Sequence, residues 1–109
     1  MNDDFDALYE ASFQLIGIAG DSKAESMAAI EAARAGNFEE AAEHLAAADK
    51  AMVEAHESQT AMLQQEAEGN PVAVNIILVH AQDHLTMAQM ARDMADQMIA
   101  LYKELRKSI

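Results

Sequence analysis

The chain has 109 residues, with 19 acidic side chains against seven basic ones and a formal charge of −12 at pH 7. Nucleic-acid binding draws mostly on Lys and Arg contacts to phosphates, so this charge argues against nucleic acid, and equally against an anionic membrane surface, as a partner. A basic protein partner is the better complement, because a charge of this size steers encounters.

Length and composition predict a single all-α domain over residues 1–109. Ala, Glu, Met, Leu and Gln dominate, which is typical of helical proteins, and the absence of cysteine excludes disulfides and thiol chemistry. The first residues are acidic, unlike the basic start of a signal peptide, and no stretch approaches the ~20 apolar residues of a membrane span. We therefore expect a cytoplasmic protein without direct membrane insertion.

The first predicted helix runs from about Asp4 to about Ala35. Gly17 and Gly20 interrupt it at about 1 kcal/mol each relative to Ala, and Ser22 followed three residues later by Glu is a potential capping box. The pattern alone therefore predicts a break or kink near residue 20. The apolar side of this helix carries Phe5, Leu8, Ser12, Leu15, Ile16 and Ala19.

Glycines mark the ends of the first and second helices. Gly36 ends the first, and Asn37 is the predicted cap of a second helix that continues to about Glu68. Gly69 then closes the second helix, with the following Asn-Pro dipeptide predicted to supply the cap and the first position of the third. The third helix continues to about Lys107, where basic residues favour the negative end of the helix dipole.

The third helix carries three polar residues on a predicted apolar face. His80, Asp83 and His84 share a stripe with apolar residues that recur at steps of three and four. A buried carboxylate or imidazole costs several kcal/mol unless it is paired or bound to an ion, so we predict the functional site here. The apolar members are Ala73, Ile76, Ile77, Met87, Met90, Ala91, Met94, Met98, Leu101 and Leu105.

The predicted bundle is thin and has little interior relative to its surface. Three helices of ~30 residues would each be ~45 Å long, and the methionine-rich stripe of the third is wide. Both features indicate that helices from several chains pack together.

Residues 80–85 read His-Ala-Gln-Asp-His-Leu and follow the run Asn-Ile-Ile-Leu-Val of residues 75–79. Through this six-residue segment, which is the specific one, the chain resembles the IIA proteins of the lactose/cellobiose phosphotransferase system. Weaker similarity covers residues 16–21, 36–41 and 59–66, in the order of the family. Together these segments span nearly the whole chain.

The resemblance implies an antiparallel three-helix bundle that assembles as a homotrimer of nine helices around a threefold axis. It also implies one continuous first helix, in which Gly17 and Gly20 let neighbours approach closely. His80 takes the position of the family's phosphorylated histidine. As a phosphotransferase component, the chain would accept a phosphoryl group from the phosphocarrier protein HPr and pass it to the cysteine of the cognate IIB domain during disaccharide uptake.

Imidazole chemistry suits that role for His80, because a neutral ring attacks near pH 7 and forms a phosphoramidate that is easily passed on. Periodicity alone favours a hydrogen-bonded core histidine at this position, and the resemblance reverses that preference. His44, beside Glu40 and Glu43, is interpreted as solvated surface.

For Asp83 the resemblance implies a metal site. Three copies of the carboxylate would meet on the threefold axis, where hard oxygen ligands and water suit a divalent ion such as Mg²⁺, one per trimer. The alternative is a salt bridge from Asp83 to Arg92 or to a lysine.

Four further residues are candidates for supporting roles around His80. His84, one helical turn later, is a second ligand, an orienting group or a packed histidine, and the resemblance gives it no phosphoryl role. Gln82 lies off the stripe and supports the resemblance more than any mechanism. His56 and Gln59 either line the pocket around His80, from the same or a neighbouring chain, or form a hydrogen-bonded polar layer.

Three other functions compete with the phosphocarrier. A histidine phosphotransfer domain of two-component signalling would have a lysine and a glycine shortly after its histidine, where this chain has Gln82, Asp83 and His84. A di-iron bundle requires Glu-x-x-His pairs, and no histidine here has Glu three residues before it. A purely structural acidic trimer with a bound metal remains open.

Overall fold

Three long α-helices make up the part of the chain that the computed structural model describes, residues 3–108, with side chains described for residues 6–108. They are α1 (Asp3–Arg34), α2 (Phe38–Ala67) and α3 (Ile76–Lys107), packed antiparallel into a body of 61 × 22 × 19 Å. The predicted all-α three-helix bundle is confirmed, while the predicted packing of Phe5 lies outside the described side chains. None of the three helices, over the described residues, is long and apolar enough to span a membrane.

α1 is continuous through both of its glycines, so the break predicted from the pattern is wrong and the continuous helix is confirmed. Ser22 does not cap a helix. Its hydroxyl is buried and donates to the carbonyl oxygen of Ala48 on α2 at 2.9 Å. Gly17 and Gly20 do not mark a close approach within the chain, because a Cβ atom at either would meet nothing within 4 Å.

The two turns between helices use the same C-terminal motif. Gly36 and Gly69 have φ of +86° and +90°, the left-handed region that favours glycine. The N–H of the residue after each glycine bonds to a carbonyl five residues earlier, at 2.9 and 3.1 Å, which satisfies the exposed helix end. The predicted ends of α1 and α2 are confirmed to within one residue. Asn37 occupies the predicted cap position, although its side chain makes no capping hydrogen bond.

α3 begins later than predicted. The chain from Asn70 to Asn75 is not helical, and Ile76 is the first helical residue, so Pro71 does not occupy the first position of the helix. Asn75 is the cap, because its Oδ1 accepts a hydrogen bond from the backbone N–H of Leu78 at 2.9 Å. Ala73 therefore lies in the connecting segment and not on the helical stripe.

α1 is the central element of the bundle, since it packs along both other helices while α2 and α3 meet over a shorter length. Small residues of α1 allow this close packing, among them Ser12, Ser22 and Ser26, none of which has any exposed surface. Two buried clusters result. One contains Leu15, Ala19, Met52, Ala55, Ala81, Leu85 and Ala88, and the other contains Ala29, Ala32, Ala33, Ala41 and Ile99.

α3 packs on α1 through a face other than the one predicted. Its buried residues are Leu78, Ala81, Leu85, Ala88, Ala95 and Ile99. The large residues of the predicted stripe are mostly exposed instead, with exposed fractions of 45–81% for Ile76, Met87, Met90, Met94, Leu101 and Leu105. The prediction that this stripe is buried is wrong for the single chain, because α1 selects the face with small side chains.

Candidate functional site

The candidate site lies near the beginning of α3, on the face that neither of the other two described helices covers. Because Asn75 fixes the first turn, His80 lies in the second turn of a well-formed helix. Its side chain is exposed, as is that of Asp83, while His84 is half-buried. The site therefore combines a rigid backbone with an accessible imidazole, the arrangement that a group reacting with another protein needs.

His80 and His84 contact each other directly. Their Nε2 atoms are 3.0 Å apart, and the rings meet edge to face with centroids 4.5 Å apart and planes at 87°. At this distance one Nε2 donates its hydrogen to the lone pair of the other. The prediction that the two rings share one face of the helix is confirmed, and His84 is now placed as the hydrogen-bond partner of His80.

Gln82 and Gln59 form a second polar pair, separate from the histidines. The side-chain N–H of Gln59 on α2 donates to Oε1 of Gln82 at 2.7 Å, and Nε2 of Gln82 lies 3.9 Å from the sulfur of Met62. The prediction that Gln82 lies off the stripe is confirmed, and for Gln59 the structure supports the hydrogen-bonded polar layer. This pair fixes α2 against α3 at the level of the site.

His56 is not brought to His80 within the chain. Its side chain is exposed, and it lines a shallow surface depression made only by α2 residues, together with Val53, Glu57, Thr60, Ala61 and Gln64. A role for His56 beside His80 would therefore require a neighbouring chain.

Asp83 forms no ion pair with any described side chain, and its carboxylate is exposed. The alternative partner, Arg92, is held elsewhere. Its Nε and Nη2 donate to the two carboxylate oxygens of Asp49 on α2 at 2.5 and 3.2 Å, which raises the pKa of the guanidinium. The salt bridge between Asp83 and Arg92 is thus wrong for the single chain.

Within the part of the chain that the structure describes, no metal centre with three or more protein ligands is complete. Among the described residues, no group of three or more His, Asp or Glu side chains is arranged to hold a metal ion. Asp83 contributes one hard carboxylate on an uncovered face, so it fits a divalent ion only where several chains bring their copies together.

His44 is not the solvated surface residue that the sequence suggested. Its Nδ1 lies 2.7 Å from Glu25 of α1 and its Nε2 lies 3.6 Å from Glu40 of α2, with about a third of the side chain exposed. The hydrogen bond to Glu25 raises the pKa of His44. The helical spacing gave a signal for this contact, because His44 falls between the buried Ala41 and Ala48 on the α1-facing side of α2.

Comparison with known proteins places the chain in one family. A sequence profile described as "PTS system, Lactose/Cellobiose specific IIA subunit" matches residues 10–103. A lactose-specific EIIA component of Streptococcus mutans is 38% identical over 91 residues, covering 84% of this chain and 88% of the relative. A lichenan-specific enzyme IIA component of Bacillus subtilis is 40% identical over 93 residues, covering 85% and 84% of the two chains.

Solved structures agree with this assignment. The cellobiose-specific enzyme IIA of Bacillus anthracis has a TM-score of 0.90 at 36% identity, covering 98% of this chain and 94% of that one. The IIA(Chitobiose) component of Escherichia coli, solved in complex with HPr, has a TM-score of 0.79 at 31% identity, covering 91% and 96%. The chain belongs to the lactose/cellobiose-specific IIA family of the phosphotransferase system.

Proposed function

We propose that this protein is a phosphocarrier that accepts a phosphoryl group from HPr on His80 and passes it to the cysteine of a IIB domain. The observation that carries the proposal is the position of His80, an exposed imidazole on a rigid, uncovered helix face within the most specific family segment. The Escherichia coli relative solved in complex with HPr supports the choice of donor.

Both transfers are nucleophilic displacements at phosphorus. The lone pair of a neutral His80 nitrogen forms a new N–P bond as the N–P bond in the phosphohistidine of HPr breaks. In the second transfer, the thiolate of the IIB domain forms an S–P bond as the bond to His80 breaks, which returns the imidazole with its lone pair. No nucleotide takes part, so the chain needs no phosphate-binding loop of its own.

His84 has a positioning role in this proposal. Its Nε2 lies 3.0 Å from Nε2 of His80, which restrains the rotation of the His80 ring. Once His80 is phosphorylated, an N–H of His84 is within reach of a phosphoryl oxygen. His84 is therefore expected to affect the rate of transfer without being the acceptor.

The proposal includes assembly as a homotrimer through the uncovered face of α3. Large apolar side chains line this face, and Met90, for example, is 62% exposed. A contiguous exposed apolar face of this kind is costly for an isolated chain. Asp83 lies on the same face, so three copies would bring three carboxylates together. These would hold one divalent ion, Mg²⁺ by the preference of carboxylate and water ligands, and the ion would offset their repulsion.

The structural alternative, an acidic trimer with a metal but no phosphoryl chemistry, is separated by a labelling experiment. Wild-type protein is incubated with HPr, its phosphorylating enzyme and radiolabelled phosphoenolpyruvate, beside His80→Ala, His84→Ala and His56→Ala variants. We expect no label on His80→Ala and detectable label on His84→Ala and His56→Ala, with an acid-labile, base-stable linkage. Normal labelling of His80→Ala would refute the assignment, and no labelling of wild-type protein would favour the structural alternative.

Charge provides a second test of the donor. With a charge of −12, the chain should meet a basic partner with the help of long-range attraction. The rate of transfer from HPr should fall between low salt and about 0.5 M salt, because the Debye length is only ~10 Å at 0.1 M. A rate that is unchanged or higher at high salt would contradict electrostatic steering.

A further inference from the structure

The two histidines of the site present a pair of nitrogen atoms on one side of α3. His80 and His84 are four residues apart, and their Nε2 atoms are separated by 3.0 Å. No described ion pair involves either ring, although carboxylates are abundant on the chain. Among the described side chains, each Nε2 therefore has the other as its hydrogen-bond partner.

We propose that His80 and His84 together chelate a transition-metal ion such as Cu²⁺, Ni²⁺ or Zn²⁺, and that the bound ion prevents phosphorylation of His80. The inhibitory half of this inference rests on the function proposed above. The metal-binding half rests on the geometry of the two rings alone.

The separation of the nitrogens fits a bidentate site. Metal–imidazole bonds are about 2.0–2.1 Å long, so two nitrogens 3.0 Å apart subtend an angle of about 90° at a shared ion. This is the angle of adjacent ligands in the tetragonal and octahedral geometries of Cu²⁺ and Ni²⁺. Tetrahedral Zn²⁺ requires a separation of about 3.3 Å, which a small rotation of either ring provides.

A metal ion can replace the hydrogen bond between the rings without changing the charge of either imidazole. Each ring coordinates as a neutral imidazole through Nε2, with its remaining proton on Nδ1. One ring changes tautomer, no proton is released from a neutral pair, and water completes the coordination. The coordinated lone pair of His80 is then unavailable to attack phosphorus.

This site differs in chemistry from the proposed carboxylate site at Asp83. Carboxylate and water ligands suit Mg²⁺, whereas imidazole nitrogen suits Cu²⁺, Ni²⁺ and Zn²⁺. Mg²⁺ at the same concentration should therefore leave the histidine pair free. The two sites can be tested independently by the choice of ion.

Binding is tested first with the metal alone. Calorimetric titration of the full chain with Ni²⁺ should show binding that weakens about tenfold or more in both His80→Gln and His84→Gln, but not in His56→Gln. In NMR spectra, substoichiometric Cu²⁺ should broaden the ring signals of His80 and His84 before those of His44 and His56. Circular dichroism of each variant confirms that the helices are retained. Wild-type affinity in either site variant, or loss in only one of them, would overturn the chelate.

Inhibition is tested with phospho-HPr prepared beforehand, whose stability in each metal is measured separately. Labelling of the wild-type chain should fall at least about tenfold at saturating Ni²⁺ and should remain unchanged in Mg²⁺. The labelling that the His84→Gln variant retains should be much less sensitive to Ni²⁺. Normal labelling of the wild-type chain with Ni²⁺ bound would overturn the inhibitory role. Absence of labelling without any metal would instead contradict the proposed function, and the titrations would still decide whether the chelate exists.

Discussion

The two apolar faces of α3 differ in the size of their side chains and in what covers them. The face against α1 is rich in alanine, and its members are no more than 8% exposed. The opposite face carries Met87, Met90, Met94, Leu101 and Leu105, whose exposed fractions run from 45% to 62%. Within one chain, the more strongly hydrophobic face is the one left open.

The difference teaches that close helix packing selects small residues before large ones. α1 buries several serine and alanine residues inside the bundle, so the helix axes can approach closely where the facing side chains are also small. Long, flexible methionines fit a surface that is completed by another molecule, since they adapt to irregular gaps. His80 and Asp83 lie on this second face, so the proposed chemistry is placed where the fold leaves the helix uncovered.

The largest expected effect separates the two faces by stability. Leu85 is 3% exposed on the covered face, whereas Met90 is 62% exposed on the open one. Leu85→Ala should lower the free energy of unfolding by about 2–5 kcal/mol, because it leaves a cavity between α1 and α3. Met90→Ala, measured by urea unfolding at the same dilute concentration, should change it by less than about 1 kcal/mol. Equal losses would mean that the two faces contribute alike to the folded chain.

The open face should instead control assembly. Replacing Met90 and Met94 together by Glu places charges where other copies would pack, so the particle mass in sedimentation should fall about threefold with helical content retained. Val53→Glu is the control, because Val53 is similarly exposed, at 60%, but belongs to α2. A double variant that sediments like the parent would show that α3 does not mediate assembly.

Asp83 tests whether a charge on the open face is buried by that assembly. Asp83→Leu removes both the repulsion among copies and the cost of desolvating them, a change that is often neutral or stabilising by about 1–4 kcal/mol. The variant should therefore form a trimer that is indifferent to chelator and melts no lower than the parent, while chelator should weaken the parent trimer. Thermal melts and sedimentation with and without chelator measure this. A parent indifferent to chelator, or a variant that dissociates, would assign Asp83 another role.

The smallest effect concerns the covered side of the bundle, where His44 bridges Glu25 and Glu40. The contact with Glu25 raises the pKa of His44 in the folded protein. The stabilisation that His44 contributes is therefore fully present below the pKa of the unfolded chain, about 6.5, and is lost as pH rises through the pKa of the folded protein. The contribution should be about 0.2–1 kcal/mol, since the pair is partly exposed. The free energies of unfolding of the wild-type and His44→Gln proteins are measured between about pH 5.5 and pH 9. The difference between the two proteins should shrink as the pH rises. A constant difference would contradict the ionic contact.

Local sequence signals determined much of the fold and of the candidate site. Gly36 and Gly69 end helices because their backbone conformation disfavours other residues, and this is visible without any tertiary information. The spacing of His80, Asp83 and His84 placed them together on one helix face, since helical periodicity is a property of the chain itself. The family segment around them indicated the chemistry to expect.

Tertiary structure decided the features that depend on which residues of another helix face a given side chain. The apolar period of α3 is the same whichever face is buried, so only packing against the small residues of α1 could select the alanine-rich side. The capping box at Ser22 was locally plausible, but a buried hydroxyl gains more from the carbonyl of Ala48 than from a helix end exposed to water. Arg92 and His44 likewise found partners on other helices, because Asp49 and Glu25 are distant in sequence and become neighbours only when the bundle closes.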